Sequence, residues 1–111
     1  MDAQTTHDPT QGVFRALADP TRRAILQQLA QGPRGVNALA QGFEMTRPAV
    51  AKHLKILEEG RLITVEQRGR ERLNHLQPEM LAVAQRWLGF FEAFWDDKLA
   101  DLKREVERDD D

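Results

Sequence analysis

The chain has 111 residues, 41% apolar and 31% charged, enough for one hydrophobic core but not for two. It contains no cysteine, which excludes disulfides, thiol redox switching and thiolate metal ligation, and the absence of serine and tyrosine thins the choice of catalytic nucleophile. A net charge of −2 speaks against a uniformly basic nucleic-acid binder, but the charge is segregated: residues 1–76 carry 11 Lys and Arg against 8 Asp and Glu, and residues 77–111 carry 5 against 10.

The polar start, Met1 to Gly12, lacks the apolar segment of a signal peptide, and no apolar run approaches a membrane span. Residues 1–10 are expected to be disordered, and the protein cytoplasmic. Val13, Phe14 and Leu17 then give the apolar side of a first helix. Asp19 caps and Pro20 opens a second, whose Ile25, Leu26 and Leu29 face inward and which Gly32 follows. This helix reads as scaffold. Arg22 and Arg23 in its first turn suit either phosphate contact or an ion-paired, solvated role. Gly32-Pro33-Arg34-Gly35 is a loop within a single domain, 1–111.

Val36, Leu39 and Ala40 make a short apolar face that breaks at Gly42. After it, Val50, Leu54 and Leu57 recur at spacings of four and three and gather on one helical stripe, while Arg47, Lys52, His53 and Lys55 lie away from it. Thr46 is placed to cap this helix, Met45 to staple onto Val50, and Pro48 falls in the first turn, where a missing amide hydrogen costs nothing. Pro48 also biases Arg47 toward extended backbone, which makes Arg47 an alternative cap. Gly60 is expected to stop the helix in the left-handed conformation. Residues 36–59 thus read as helix, tight turn, helix.

Ile63 and Val65 alternate with Thr64, Glu66 and Arg68; Gly69 permits a reversal; Arg70, Arg72 and Asn74 alternate with Leu73 and His75. Residues 62–76 are therefore a hairpin, a wing with a basic tip, on which alternation puts Arg68, Arg70 and Arg72 on the outward side. The last segment, 78–107, reads as one helix: Leu81, Ala84, Leu88, Phe91, Trp95, Leu99, Leu102 and Val106 step by three or four. Such a helix would be about 40 Å long, against roughly 30 Å for the breadth of a small domain, so its stripe needs a partner, most simply a second copy. Gly89 marks a bend or a close helix contact. The fold class is mainly α (α+β): a winged helix-turn-helix with a two-stranded wing and dimerisation helices at both ends.

These residues resemble a known family, the ArsR-type winged helix-turn-helix repressors of bacteria. The resemblance rests on Phe14-Arg-Ala-Leu-Ala-Asp-Pro-Thr-Arg-Arg-Ala-Ile-Leu26, on Met45 to Ile63, on the wing Arg68-Gly-Arg-Glu-Arg72, and on Trp87-Leu-Gly-Phe-Phe-Glu-Ala-Phe-Trp95. It implies a dimeric repressor binding an operator with two-fold symmetry, and it is nearest the cysteine-free branch. Metal sensing in the family uses thiolates, or zinc held by histidine and carboxylates on the last helix. This chain has no thiol and no histidine after His75, and His7, His53 and His75 show no ligand spacing, so neither a metal nor another cofactor is expected.

A helix with one packed side and cations on the other suits a DNA major groove. Thr46, Arg47, Ala49, Lys52 and His53 are the candidates for base edges. Lys55, Arg68, Arg70 and Arg72 are the candidates for phosphate. Val13, Phe14, Leu17, Leu81, Ala84, Leu88, Phe91 and Trp95 are the candidates for the contact between copies. The expected partners are a double-stranded operator, a second copy and, without a name, a small effector between the first and last helices. Two other readings stand beside this one: a winged-helix adaptor that binds protein and does not read DNA, and an ordinary surface helix with a basic face. No nucleophile, histidine and carboxylate can be assembled from these motifs, so an enzyme is not expected.

Overall fold

The computed structural model describes residues 8–109. The expected disorder at the start falls largely outside them, but Pro9 and Thr10 are already helical. Asp8 caps the first helix, α1 (Pro9–Leu17), by accepting from the Thr10 amide at 2.9 Å, and Pro9 opens it. The second, α2 (Pro20–Leu29), starts the same way, with Asp19 accepting from the Arg22 amide at 3.1 Å. Next come α3 (Val36–Phe43) and α4 (Arg47–Glu59), then the antiparallel strands β1 (Ile63–Arg68) and β2 (Glu71–Leu76). A single 3₁₀ turn, Pro78–Met80, leads into α5 (Leu81–Gly89) and α6 (Glu92–Asp109).

The core takes one or more residues from each of the first four helices, the hairpin and α5. Val13, Ile25, Leu39, Val50, Leu57, Leu62 and Ile63 are all at most 1% exposed. The inward positions read from helical spacing, Ile25, Leu26, Leu29, Leu39, Ala40, Val50, Leu54 and Leu57, are all buried.

Three boundaries differ from expectation. α3 runs through Gly42 to Phe43, and it is Glu44 that turns left-handed, at φ 53°. α4 ends with Gly60 in ordinary helical geometry, φ −79°, and the left-handed residue is Arg61, φ 62°. Gly60 is small for another reason. A Cβ there would stand 2.8 Å from the Gly12 carbonyl oxygen and 3.3 Å from the Ala16 Cβ, so this glycine lets α1 cross the end of α4 backbone to backbone.

The third difference is the terminal helix, which is not one rod from 78 to 107. At Gly89 the chain tightens, with Phe90 and Phe91 donating to carbonyls three residues back, and α6 starts afresh at Glu92. α5 lies on α1, whereas α6 leaves the body. The radius of gyration is consequently 19.2 Å, against about 13 Å for a compact chain of this length. Among the described residues no helix is long and apolar enough to cross a membrane.

Candidate DNA-binding surface

The start of α4 is settled by its cap: Thr46 is extended, at ψ 156°, and its hydroxyl accepts from the Ala49 amide at 3.3 Å. Arg47 is thus the first helical residue and Pro48 the second. With Val50, Leu54 and Leu57 turned into the core, Arg47, Pro48, Ala51, Lys52, Lys55, Glu58 and Glu59 form the exposed arc. Arg47, Ala51 and Lys55, spaced by four, lie in one row along it. Ala51 was missed as a surface position; its place midway between Arg47 and Lys55, four residues from each, was the signal that could have found it.

Two of the base-edge candidates stand elsewhere. Ala49 is half-buried, and so is His53, whose ring is turned toward α2. There Arg22 Nη1 donates to His53 Nδ1 at 3.4 Å, and Asp19 Oδ2 lies 4.0 Å from the same nitrogen. The Arg22 amide donating to its carboxylate, with a smaller contribution from His53, holds Asp19 below the usual aspartate range. Thr46, Arg47 and Lys52 are exposed.

Arg22 and Arg23 take a role that neither sequence alternative named. Arg22 donates from Nε to the Ala16 carbonyl and from Nη2 to the Arg15 carbonyl, both at 2.9 Å, and Arg23 Nη1 donates to the Leu17 carbonyl at 2.7 Å. Of the last carbonyls of α1, that of Arg15 also accepts from the capping Ala18 amide at 3.3 Å, and cations suit that end of a helix. The two arginines therefore fasten the first turn of α2 to the end of α1. Arg15 in turn pairs with Glu59 of α4 at 3.2 Å.

The wing departs from simple alternation. Its register pairs Arg68 with Glu71 across Gly69-Arg70, so Arg68 and Arg72 point to opposite faces and Arg70 sits in the turn. A two-residue turn makes the last residue of one strand face the first of the next, and counting odd and even positions through the turn inverts the second strand. Asn74, expected outward, is for the same reason inward and 3% exposed. Its side chain donates to the Arg34 carbonyl at 3.0 Å, and its backbone exchanges hydrogen bonds with Arg34, which sews the loop before α3 to the wing.

The three wing arginines are accordingly not equivalent. Arg68 Nη2 alone reaches both carboxylate oxygens of Glu66, at 3.1 and 3.2 Å, and His75 Nε2 donates to the same carboxylate at 2.7 Å. The His75 bond first, and Arg68 second, hold Glu66 below the usual glutamate range. Arg72 instead shares with Lys55 and Glu58 a hollow of about 220 Å³ between α4 and the wing, lined also by Leu54, Val65 and Asn74. The structure thus brings one helix cation and one wing cation to the same place and leaves Arg68 and Arg70 apart from it.

A capped helix with an exposed basic row, preceded by a tight helix turn and flanked by a two-stranded wing, is the architecture of a winged helix-turn-helix transcriptional regulator. A helix-turn-helix domain family matches residues 17–66. The HTH-type transcriptional regulator Rv2034 of Mycobacterium tuberculosis is 40% identical over 91 residues, 82% of each chain, and the transcriptional repressor SdpR of Bacillus subtilis is 32% identical over 76 residues, 68% of this chain and 84% of SdpR. Among solved structures, the ArsR family transcriptional regulator RHA00566 superposes with a TM-score of 0.72 at 37% identity, over 80% of this chain and 98% of its own. The homodimeric winged helix-turn-helix DNA-binding domain of Mb0332 from Mycobacterium bovis superposes at 0.64 and 25% identity, over 77% of this chain and 82% of that one. The chain belongs to the ArsR family of transcriptional regulators, which are not enzymes.

The residues expected to join two copies divide in two. Val13, 0% exposed, and Ala84, 6% exposed, are already used by the core of one chain. Phe14, Leu17, Leu81 and Phe91 are half-buried, and Leu88 and Trp95 are exposed. Phe14 meets Trp87 edge to face, with ring centroids 5.6 Å apart, and Trp87 meets Phe91 at 5.1 Å. Beside these rings lies an open groove of about 510 Å³, lined by Thr10, Val83, Arg86, Trp87, Phe90 and Phe91.

Proposed function

We propose that this chain is a homodimeric repressor that binds a two-fold symmetric operator and blocks transcription by occupying it. The observation that carries the reading is the exposed row of α4, held on a helix whose other side is fully packed and whose first turn is capped. A rigid helix of this kind fits a major groove with its N-terminal residues at base edges, and a dimer sets two of them about 34 to 36 Å apart. Arg47 and Lys52 donate to guanine, and Ala51 and the Thr46 methyl touch thymine methyls. His53 serves as a positioning residue through Arg22 and does not read a base. Lys55 and Arg72 hold one phosphate between helix and wing, and Arg70 reaches a further one from the tip. The open aromatic groove beside α1 belongs to the contact between copies, a use that suits its exposed tryptophan and phenylalanine better than an enclosed effector pocket would.

The test is a mobility shift and footprint with the DNA upstream of the chain's own reading frame, at physiological salt. Protection of two half-sites one helical turn apart is expected. Arg47→Ala should lose about 1 to 3 kcal/mol on that site and little on random DNA. Equal loss on both would reduce Arg47 to a backbone contact, and no shift at all would favour the adaptor reading.

A further inference from the structure

One ring nitrogen of α4 stands between a donor and an acceptor of α2. His53, its side chain 20% exposed, holds Nδ1 3.4 Å from Arg22 Nη1 and 4.0 Å from Asp19 Oδ2. A guanidinium has donors only, so the Arg22 contact needs an unprotonated nitrogen; a carboxylate only accepts, so the Asp19 contact needs a protonated one. The same atom cannot serve both, and the charge on the imidazole decides between them. Neither neighbour depends on His53 for its place. Arg22 is held by the Ala16 and Arg15 carbonyls, and Asp19 by its bond from the Arg22 amide, which keeps it below the usual aspartate range and hence ionised wherever an imidazole titrates.

The other charged groups on the elements packed against α4 are engaged elsewhere. On α1, Arg15 pairs with Glu59, and Asp8 caps the helix start. On α2, Arg23 donates to the Leu17 carbonyl, and α3 carries no charged residue. On β1, Glu66 is bonded to Arg68 and to His75. On α4 itself Arg47, Lys52, Lys55 and Glu58 are exposed. Asp19 and Arg22 are therefore the charges that face the ring, and they ask opposite things of it.

We infer that His53 makes operator binding responsive to pH by exchanging partners: neutral, it accepts from Arg22; protonated, it releases Arg22, pairs with Asp19 and adds a positive charge to α4 beside Lys52. The inference rests on the operator reading above and adds to it a regulation of that same helix. Histidine is the side chain that changes charge between about pH 5 and 8, so the exchange falls where a cell's acidity varies. Pairing does not cancel the new charge, because Asp19 is a carboxylate in both states. The reading surface thus becomes more positive by one unit as the pH falls, and DNA in turn favours the protonated ring.

Two measurements on the full-length chain test this. In NMR spectra of the free protein, the ring nitrogens of neutral His53 should carry the proton on Nε2 and leave Nδ1 bare, and Asp19→Asn, which keeps a helix cap, should move the His53 titration to lower pH. A neutral ring protonated on Nδ1, or a titration indifferent to Asp19→Asn, would overturn the exchange. Binding to the DNA upstream of the chain's own reading frame, at constant ionic strength, should strengthen from about pH 8 to about pH 5.5 by about fivefold more in the wild type than in His53→Gln, whose amide oxygen still accepts from Arg22 but takes no proton. His7 and His75 are common to both proteins and cancel in the comparison. Equal pH dependence in the two would overturn the proposal and leave the operator reading standing, whereas a wild type that binds this DNA at no pH would remove both.

Discussion

α4 and α6 are built from the same local rule and end in opposite situations. Each has an apolar stripe at spacings of three and four and charges on the remaining face. In α4 the stripe is at most 6% exposed, because α1, α2, α3 and the wing close over it. In α6 the corresponding residues are more than half exposed. Periodicity says that a helix has a side to bury; it does not say who buries it. Where the chain itself covers the stripe, the outer face is free to act on another molecule. Where it does not, the stripe is left open to a partner.

The sharpest way to break this contrast is to remove one leucine from each stripe. Leu57→Ala, at a position with no exposure, should cost about 2 to 5 kcal/mol in denaturant unfolding at any protein concentration. Leu102→Ala should leave the unfolding of the dilute chain nearly unchanged and shift the rise of melting temperature with concentration to higher concentrations. Equal, concentration-independent losses at both would mean that α6 is covered within its own chain.

A second pair of variants tests how α4 is seated. Gly60→Ala drives a methyl group into the Gly12 carbonyl and should destabilise by about 1 to 3 kcal/mol. Gly42→Ala, in a helix with open space around it, should stabilise by up to about 1 kcal/mol. Thermal unfolding of the two separates close approach from helix propensity, because propensity alone moves both in the same direction.

The arginine clamp should come next. Arg22→Ala leaves the Ala16 carbonyl of α1 without a donor and takes one of two donors from the Arg15 carbonyl, and should cost about 1 to 2 kcal/mol, with a smaller loss for the exposed Arg23→Ala. If His53 acts through Arg22, as proposed, His53→Ala and Arg22→Ala will be less than additive in a double-mutant cycle.

The smallest effect is expected at the wing. Glu66 is held below the usual glutamate range, so its bonds to His75 and Arg68 contribute at pH above that range and are lost as the pH falls through its lowered value. Glu66→Gln should therefore lose this small contribution at neutral pH, and the difference from the wild type should vanish as the pH falls through the lowered value, flattening part of the acid limb. A loss appearing only on the alkaline side would contradict the assignment.

Much of the reading surface was legible in the residues. Thr46 and Pro48 mark a helix start by backbone chemistry alone, and Val50, Leu54 and Leu57 fix which side is inward. Three features were not legible, each because it depends on a neighbour distant in sequence. His53 sits on the polar side of its helix by count, yet the first turn of α2 arrives there. Arg22 and Arg23 look like free cations until the end of α1 is laid against them. Gly60 looks like a helix stop, and only the crossing of α1 shows that its size is what matters.

The sequence by itself determined the period of the first four helices, the caps of α2 and α4, the two strands of the wing, and the presence of a stripe near the C-terminus larger than one small domain can cover. These follow from local geometry, where a residue's conformation and its few nearest neighbours settle the outcome. The tertiary structure alone decided which cations are free and which are occupied, on which face of the wing each arginine stands, and where the last helix breaks away from the body. Those are questions of what comes within hydrogen-bonding or van der Waals distance from elsewhere in the chain, and such short-range forces act only once the fold has brought the groups together.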